Sequence, residues 1–448
     1  MSEHEPVDPA RRPLADFAAG RSVSPGTESP EPRDWRSRLA VQLPLRAGSA
    51  QTGRDWAPVV FIAGMLALAF NLRAAITSLP PVFPELASAL HLSPAAISAL
   101  AAVPVLCFAV FSPVAAPLSR RFGEERVLLA ALLLLAVGLL ARGALPGALL
   151  FPGTVVATGA IALMNVLLPS LVKRRRPGQA GLLIGTYLLS MSAGSVIGSL
   201  IAVPVFQASG GSLPLTLGLW ALPALAAALV WLPQWRFRTV PASPGVGRPA
   251  RGRPVNMSRH LLAWQVMGFM GLQSLTYYTA LSWLPILLRD RGAGAVHAGF
   301  LLALMNLGGA GTGLLAPVLA QRARNQRVLI AAAVIVSAVG LAGVWFAPLS
   351  TAAGWTLLLG VGQGAALGLA IYCTAARAPD PVTAASLSAF AQGGGYLIAT
   401  TGPLAFGFLH TAIGNWTVPV VALLGVFTAE FAVGVQAGRA RTLPAPAA

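Results

Sequence analysis

The chain has 448 residues, of which 56% are hydrophobic and only 10% are charged, whereas soluble domains are about 45 to 50% apolar and about 25% charged. This composition excludes an ordinary soluble domain and is typical of a protein whose main solvent is the lipid bilayer. The formal net charge of +17 does not indicate nucleic-acid binding, because the excess cations lie in short connections between apolar runs.

Residues 1–55 form a polar first segment. They contain eight Arg and eight Asp or Glu, together with many Pro and Ser, and show no helical periodicity. Such a segment cannot bury enough apolar surface to offset the entropy of ordering it, so we predict a disordered tail. The first apolar run begins near Ala57 and is too long for the hydrophobic region of a signal peptide, so we expect it to remain as the first span.

Twelve apolar runs follow, each long enough for a spanning helix, which needs roughly 20 mainly apolar residues. The first six lie near residues 57–88, 94–118, 127–144, 148–171, 178–205 and 213–233. The second six lie near residues 260–288, 295–320, 327–348, 351–375, 382–408 and 416–437. The sequence therefore predicts an all-α membrane protein with twelve transmembrane helices in two six-helix pseudo-repeats, residues 56–233 and 260–438, before a short cytoplasmic tail at 439–448.

The connection at 234–259 is the longest between two spans and separates the halves. Four prolines interrupt it and disfavour regular structure. Short sequences repeat on its two sides at an offset of 200 to 201 residues. Ala116-Pro117 recurs as Ala316-Pro317, and Arg126-Val127-Leu128 recurs as Arg327-Val328-Leu329. Two such repeats about a central loop are typical of the parallel halves of secondary transporters.

Basic residues are distributed unequally between the two sides of the predicted bundle. The connections on one side carry seventeen Lys or Arg, whereas those on the other side carry Arg142, Arg289 and Arg291. The seventeen lie in 119–126, 173–176, 234–259 and 321–327 and at Arg377. Because cytoplasmic connections are enriched in Lys and Arg, we predict a multi-pass protein of the cytoplasmic membrane with both termini in the cytoplasm.

Arg73 is the most informative single residue, because it lies about halfway along the first span and no other Lys or Arg lies so deep. A cation at the bilayer centre costs about 2.5 to 3.5 kcal/mol on insertion scales, so Arg73 should face a wet cavity. We interpret it as the counter-charge of a substrate. The alternative is a structural cation satisfied by carbonyls or by snorkelling. With one cation and no fixed acid there, the cavity should favour a small monoanion.

Two carboxylates lie at membrane depth, Glu85 toward the outer end of the first span and Glu430 in the last span. This scarcity weakens the case for a carboxylate proton relay. Either residue is a candidate for proton coupling, but Glu85 also fits a helix end and Glu430 a packing contact with a neighbouring helix. Cys107 and Cys373 both fall inside predicted spans, and the His residues are too separated in sequence for a motif, so we predict no metal site and no cofactor.

Polar side chains recur at helical spacing in two later spans. Ser388, Gln392 and Tyr396 are four residues apart in the eleventh span, and Gln273 and Tyr277 share this spacing in the seventh. Polar groups in hydrocarbon need partners. These faces should therefore point into the bundle, either as cavity lining or as interhelical hydrogen bonds.

Single polar residues in other spans are further lining candidates, although helix packing is the favoured interpretation for them. They are Tyr187, Asn165, Asn306 and Gln363. Asn71 lies two residues from Arg73 and should face a different direction on a regular helix. We therefore expect it to contact a neighbouring helix.

Several sequence elements match a known family. They include Asn71-Leu72-Arg73, Asn165-Val166-Leu167-Leu168-Pro169, Gly271-Leu272-Gln273-Ser274, Gly362-Gln363-Gly364 and Gly395-Tyr396-Leu397. Over about residues 57–437 the chain resembles the cyanate and nitroimidazole transporter branch of the major facilitator superfamily. The resemblance implies the major facilitator fold and transport of cyanate-like or other small anionic or polar organic solutes. It also implies a lining that includes Asn71, Arg73, Gln273, Gln392 and Tyr396.

Residues and resemblance together predict a secondary transporter that works by alternating access. The alternatives are efflux of hydrophobic drugs or nitroimidazoles, and a receptor or scaffold that transports nothing. No cluster of catalytic groups indicates an enzyme, and no phosphate-binding G-x-x-x-x-G-K motif indicates ATP hydrolysis. We expect a monomer whose partners are a small solute and lipid and do not include nucleic acid.

Overall fold

The computed structural model describes residues 56–237 and 255–444, with side chains from residue 58 onward. Nearly all of these residues are helical. The first half contains α1 (Trp56–Thr77), α2 (Phe83–Leu90), α3 (Pro94–Phe122), α4 (Glu124–Ala144), α5 (Pro146–Arg175), α6 (Ala180–Ala208), α7 (Leu213–Gly218) and α8 (Ala221–Trp231). The second half contains α9 (Leu261–Asp290), α10 (Ala295–Arg322), α11 (Arg327–Phe346), α12 (Ala352–Ala376), α13 (Pro381–Ile413) and α14 (Thr417–Ala437).

Three predicted segments fall wholly or partly beyond this range. The tail at 1–55, most of the central loop at 234–259 and the last four residues of the tail at 439–448 lie outside the described residues.

Eleven stretches of the described chain are long and apolar enough to cross a membrane. The twelfth spanning helix is α9, which has 30 residues but carries polar side chains along its middle, among them Gln273, Ser274 and Thr276. Most of α9 is buried between other helices, where polar groups can find partners that lipid does not supply. The predicted twelve-helix architecture in two halves is confirmed.

The first span is broken near its outer end. α1 ends at Thr77, a 3-10 turn covers Pro80–Val82, and α2 begins at Phe83. Proline has no N–H to donate and its ring clashes with the preceding turn, so the pair Pro80-Pro81 cannot continue α1. The Thr77 hydroxyl lies 3.0 Å from the carbonyl oxygens of both Arg73 and Ser195, which fixes the end of α1 against α6.

Capping residues at both ends define α13. Asp380 accepts hydrogen bonds from the backbone N–H groups of Val382 (2.9 Å) and Thr383 (3.0 Å) and from the Thr383 hydroxyl (2.6 Å). These bonds satisfy free N–H groups of the first turn, and they hold the pKa of the Asp380 carboxyl below its usual value. At the other end, Gly414 adopts a φ of 75°, a left-handed conformation that glycine reaches without a Cβ penalty.

The two membrane faces differ in their connections. We call the face at which α3 meets α4, α5 meets α6 and α11 begins the basic face, and the other the opposite face. The halves meet along two helix pairs, α3 with α13 and α6 with α10. At the opposite face, Arg289 Nη1 of α9 lies 2.7 Å from Glu85 Oε1 of α2, so an ion pair joins the two halves there.

Both halves repeat one polar contact at the basic face. In the first half, Arg175 Nη2 lies 2.8 Å from Glu125 Oε1. In the second half, Arg377 Nη2 donates to Gln326 Oε1. The glutamate and the glutamine are 201 residues apart and the two arginines are 202 residues apart, so the repeat in the sequence is also a repeat of structure. Only the first half keeps a carboxylate at this position.

Candidate functional site

Arg73 lies on α1 one turn before the helix ends and reaches across to the second half. Its Nη1 donates a hydrogen bond to the Tyr278 hydroxyl at 3.3 Å. The guanidinium carbon also lies 5.4 Å from the ring centroid of Tyr277 and 5.8 Å from that of Tyr278, within the range of a cation–π contact. The deepest predicted cation of the first half therefore meets an aromatic face of the second.

Four tyrosines lie within electrostatic range of the Arg73 guanidinium. They are Tyr187 of α6, Tyr277 and Tyr278 of α9, and Tyr396 of α13. The whole chain has five tyrosines, so all but Tyr372 gather here. We call these four residues with Arg73 the tyrosine cage.

No carboxylate of the described chain forms an ion pair with Arg73. Phenol hydroxyls and ring faces provide partial negative charge but no full counter-charge. The guanidinium is thus hydrogen-bonded and packed, yet its positive charge is not neutralised by a side chain. A site of this kind favours an anion.

Phe108 of α3 orders the rings of the cage. Its ring centroid lies 6.2 Å from that of Tyr278 and 5.5 Å from that of Tyr396, and the rings of Tyr277 and Tyr278 are 5.1 Å apart with a T-shaped geometry. Edge-to-face pairs of this kind are favourable. Aromatic packing between α3, α9 and α13 therefore holds the cage at the junction of the halves.

A cavity of about 130 Å³ adjoins Arg73 between α1, α6, α9, α10 and α12. Its polar lining consists of Arg73, Ser192, Ser195, Tyr277, Asn306 and Gln363. Much of the remaining wall is glycine from α10 and α12, and these glycines let the two helix backbones pack closely against each other. The cavity is smaller than the roughly 300 to 1,000 Å³ typical of drug-sized pockets, so its size fits a small solute.

The cavity extends from the level of Arg73 toward the basic face. Its lining continues along α10 to Gly313 and along α12 to Ile371, and Ile371 is 53% exposed. Two linked hydrogen bonds lie at the opposite end, and one of them joins the halves. The Tyr277 hydroxyl donates to Asn306 Oδ1 at 3.1 Å, and Asn306 Nδ2 donates to Ser199 Oγ of α6 at 3.2 Å.

A buried hydrogen-bond network lies behind the cavity wall. Gln363 Nε2 donates to Thr276 Oγ1 at 3.1 Å, and Thr276 Oγ1 lies 3.1 Å from Glu430 Oε2. Gln273 Nε2 lies 3.4 Å from both Gln363 Oε1 and the Gln363 carbonyl. Glu430 is 0% exposed, and its Oε1 has no hydrogen-bond partner. The network connects the lining residue Gln363 to a carboxyl in the last helix.

The structure brings some of the predicted lining residues together. Arg73 and Tyr277 line the cavity, and Tyr187 and Tyr396 belong to the tyrosine cage. Gln273 is buried in the network behind the wall and does not line the cavity itself.

Other predicted residues lie elsewhere. Asn71 Nδ2 donates to Pro223 O of α8 at 3.1 Å and is turned away from the cavity, as expected from its spacing to Arg73. Gln392 donates to Ser388 Oγ on its own helix at 2.8 Å. Asn165 is half-buried on α5, outside the cavity lining. Glu85 is paired with Arg289 at the opposite face.

One arginine that was expected at a surface connection is buried. Arg142, predicted to lie in a surface connection, sits in the last turn of α4 and is only 1% exposed. Its Nη2 donates to the Ala75 carbonyl near the end of α1 at 3.4 Å. Carbonyls at a helix C-terminus lack intrahelical partners and carry partial negative charge, which favours a buried cation beside them.

Tyr278 is the main site residue absent from the predicted lining, although it is one of the residues that match the transporter branch. It is the one side chain that accepts a hydrogen bond from Arg73 in the described chain, yet the helical spacing from Gln273 selects its neighbour Tyr277. The scarcity of tyrosine in the sequence was an available signal, since two of five tyrosines stand side by side at 277 and 278.

Twelve spanning helices in two repeated halves, with a cation-bearing cavity between them, define a membrane transporter. Residues 61–403 match the family model of the Major Facilitator Superfamily. The chain is 42% identical over 383 residues to the 2-nitroimidazole transporter of Escherichia coli (strain K12), covering 85% of this chain and 96% of that protein. The chain belongs to the Major Facilitator Superfamily.

Two further comparisons agree with this assignment. The chain is 30% identical over 375 residues to the cyanate transport protein of Escherichia coli (strain K12), covering 82% of this chain and 96% of that protein. Its fold is similar to the crystal structure of a bacterial homologue of the human lysosomal transporter Spinster, inward-facing and unoccupied. The TM-score is 0.72 at 16% identity, over 89% of this chain and 100% of that one. The predicted resemblance to the cyanate and nitroimidazole branch is confirmed.

Proposed function

We propose that this chain is a secondary transporter that moves a small monoanion across the cytoplasmic membrane by alternating access, with Arg73 as the counter-charge. The observation that carries the proposal is the Arg73 guanidinium, which faces a cavity between the halves without a carboxylate partner. Electrostatic attraction is strong where water is scarce. A bound anion would supply the negative charge that the described side chains do not.

The cage also supplies hydrogen-bond donors for an anion. Tyr187 and Tyr396 lie within electrostatic range of the Arg73 guanidinium, and a phenol hydroxyl can donate to an anion. A small planar anion could sit against the aromatic faces while accepting bonds from Arg73 and these phenols.

The relatives suggest which anions to test first. One is named for cyanate and one for 2-nitroimidazole; cyanate is a monoanion, and 2-nitroimidazole becomes one when its ring N–H is lost. Both are small enough for a cavity of about 130 Å³. We therefore propose that the substrates form one class, small planar monoanions.

The orientation in the membrane follows from the distribution of charge. The basic face carries most Lys and Arg of the connections, so we assign it to the cytoplasm together with both ends of the chain. In this arrangement the Glu85–Arg289 ion pair closes the outer face, and the cavity extends from Arg73 toward the cytoplasm. Rocking of the halves about the tyrosine cage would then expose Arg73 to each side in turn.

Transport by proteoliposomes tests the proposal. Protein reconstituted with labelled cyanate or labelled 2-nitroimidazole should exchange at least one of them, and Arg73→Gln should reduce exchange at least tenfold. Arg120→Gln is the matched control, because Arg120 is an exposed arginine at the basic face. Undiminished exchange by Arg73→Gln, with an unchanged size-exclusion profile, would remove Arg73 from the site.

Efflux of hydrophobic drugs is the second candidate, and the apolar part of the cavity wall favours it. That part includes Leu188, Met191, Met305, Leu314 and Leu367. Neutral amphiphilic compounds should compete with labelled cyanate only if the cavity binds hydrophobic drugs. Their competition should then survive Arg73→Gln, because apolar contacts do not require the guanidinium.

A further inference from the structure

We propose that Glu430 is the proton-binding group of this transporter and that one proton moves with each anion. The inference rests on the proposed anion transport and adds its coupling ion and stoichiometry. Glu430 lies in the middle of α14, is 0% exposed, and has one carboxyl oxygen without a partner. A permanently ionised carboxylate would be poorly satisfied in this position.

The hydrogen bonds place Glu430 in communication with the substrate site. Thr276 and Tyr277 are consecutive residues of α9, rotated by about 100° on the helix, and they meet different partners. The Thr276 hydroxyl contacts Glu430 at 3.1 Å, and Tyr277 packs against the Arg73 guanidinium. Gln363, which lines the cavity, donates to the same hydroxyl. A single helical turn therefore links the buried acid to the buried cation of the site.

The Thr276 hydroxyl can adapt to both states of the acid. It has one proton, and its oxygen lies 3.1 Å from Glu430 Oε2 and 3.0 Å from the Gln273 carbonyl. When Glu430 is ionised, Thr276 donates to it. When Glu430 is protonated, the carboxyl O–H can donate to Thr276, which then donates to Gln273. Thr276 therefore stays bonded to Glu430 and to Gln363 in both forms, and only its bond to the Gln273 carbonyl depends on the protonation of Glu430.

The surroundings of Glu430 contain no fixed counter-charge. The helices packed most closely against α14 are α9, α11 and α13. Their titratable side chains are Tyr277, Tyr278, Arg289 and Asp290 on α9, Arg327 on α11, and Tyr396 and His410 on α13.

Each of these groups is engaged elsewhere or lies at a helix end. The three tyrosines belong to the cage, and Arg289 pairs with Glu85. Asp290 accepts a hydrogen bond from Trp416, on whose ring His410 stacks, and Arg327 begins α11. In the described chain, Glu430 therefore faces no cation that would hold it ionised.

Charge balance explains why one proton would accompany one anion. With Glu430 ionised, Arg73 and Glu430 together carry no net charge, and the empty carrier can change its access. When water on the open side supplies a proton to Glu430, the pair becomes positive and attracts a monoanion. The loaded carrier is again neutral, and both ions are released to water on the other side. A charged intermediate would be costly to move within the membrane.

The decisive experiment compares two modes of transport in proteoliposomes with labelled cyanate, or with labelled 2-nitroimidazole if that is the solute exchanged. Wild type should exchange the probe when the pH is the same on both sides of the membrane. It should accumulate the probe at least fivefold when the compartment from which the probe enters is the more acidic one. A potential imposed with valinomycin should not drive accumulation. Glu430→Gln, which keeps an acceptor for Thr276, should retain exchange but reach no accumulation above equilibrium.

Two controls make the result specific. Asp380→Asn neutralises a carboxyl at the basic face and keeps a side chain that can cap α13. It should keep pH-driven accumulation because, in the part of the chain that the structure describes, Asp380 bonds only to the first turn of α13. If Glu430→Gln fails to fold, proton uptake by detergent-solubilised wild type on addition of the probe gives a second measurement. One proton should be taken up per probe bound, and binding without proton uptake would overturn the inference.

The possible failures are distinguishable. Accumulation by Glu430→Gln under a pH gradient, or accumulation by wild type driven by potential alone, would overturn the proton site while leaving anion transport intact. Absence of exchange of both probes by wild type would overturn the proposed function and, with it, the coupling.

Discussion

Arg289 of α9 donates a hydrogen bond of 2.7 Å to Glu85 of α2, and this ion pair joins the two halves at the face farthest from the cavity opening. Both side chains retain some exposure, 24% for the arginine and 14% for the glutamate. Because the pair is neither fully exposed nor fully buried, we take about 1 kcal/mol, the upper end of the range for solvent-exposed ion pairs, as its contribution.

Removing either partner should open the opposite face more often. The test uses a background with Cys107→Ala and Cys373→Ala and a single reporter cysteine from Ser98→Cys. This cysteine should react with a membrane-impermeant maleimide about two to five times faster when Glu85→Gln or Arg289→Gln is added. That factor follows from the strength of the ion pair. Ser98 is a suitable reporter because it is buried at the opposite face in this conformation.

The double variant Glu85→Gln/Arg289→Gln provides the control for this gate. It should label no faster than either single variant, because both remove the same interaction. Additive effects of the two substitutions would show that the side chains act independently and that the ion pair does not close the face.

The Tyr278 hydroxyl should contribute to substrate affinity. Tyr278→Phe removes the acceptor that orients Arg73, and a net hydrogen bond is worth about 0.5 to 1.5 kcal/mol. We therefore expect the apparent KM for exchange to rise about three- to tenfold. The measurement is the concentration dependence of cyanate or 2-nitroimidazole exchange in proteoliposomes.

Tyr372→Phe is the matched control, because Tyr372 is the fifth tyrosine and lies outside the cage. It should leave the KM unchanged. Equal effects of the two substitutions would mean that the KM responds to general packing and not to the contact with Arg73.

Apolar runs and loop charges were sufficient to predict the fold. The bilayer imposes a minimum helix length and forces backbone hydrogen bonds to close within each helix. Hydropathy therefore identifies eleven spans clearly, and the repeat of six helices in each half accounts for α9 as the twelfth. Arg73 was identifiable for a related reason, since a deep cation is costly unless it faces a cavity.

The partners of each side chain required the structure. Helical periodicity shows which residues share a face, but it does not show which helix that face meets. Gln392 therefore bonds Ser388 on its own helix, and Gln273 joins a buried network. Arg142 was missed because a position near a helix end reads as solvated, although α1 ends beside it and accepts its hydrogen bond.

Close packing of α6 against α1 gives a stability prediction. A Cβ on Gly198 would lie 2.6 Å from Thr77 Oγ1 and 2.8 Å from the Ala74 carbonyl. Overpacking of this kind typically costs about 1 to 3 kcal/mol. Gly198→Ala should therefore lower the melting temperature measured in detergent, and it should also reduce exchange by displacing the helix that carries Arg73.

Gly185→Ala on the same helix is the control, because nothing lies within 4 Å of its Cβ position. Alanine is favoured over glycine in a helix interior by about 0.5 to 1 kcal/mol, so this variant should melt at the same temperature or slightly higher. A similar loss of stability in both variants would mean that alanine destabilises α6 at either position and that contact with α1 is not the cause.

The repeated contact at the basic face should stabilise the second half through Arg377. This side chain is 4% exposed, donates from Nε to the Ala437 carbonyl at 2.9 Å, and bonds Gln326. Arg377→Ala would leave these acceptors buried without a donor, and hydrogen bonds to charged groups are worth about 1.5 to 3 kcal/mol. We expect a clear drop in melting temperature, whereas Arg324→Ala, at an exposed position on the same face, should have no measurable effect. Equal melting temperatures for Arg377→Ala and wild type would show that water replaces the guanidinium at this junction.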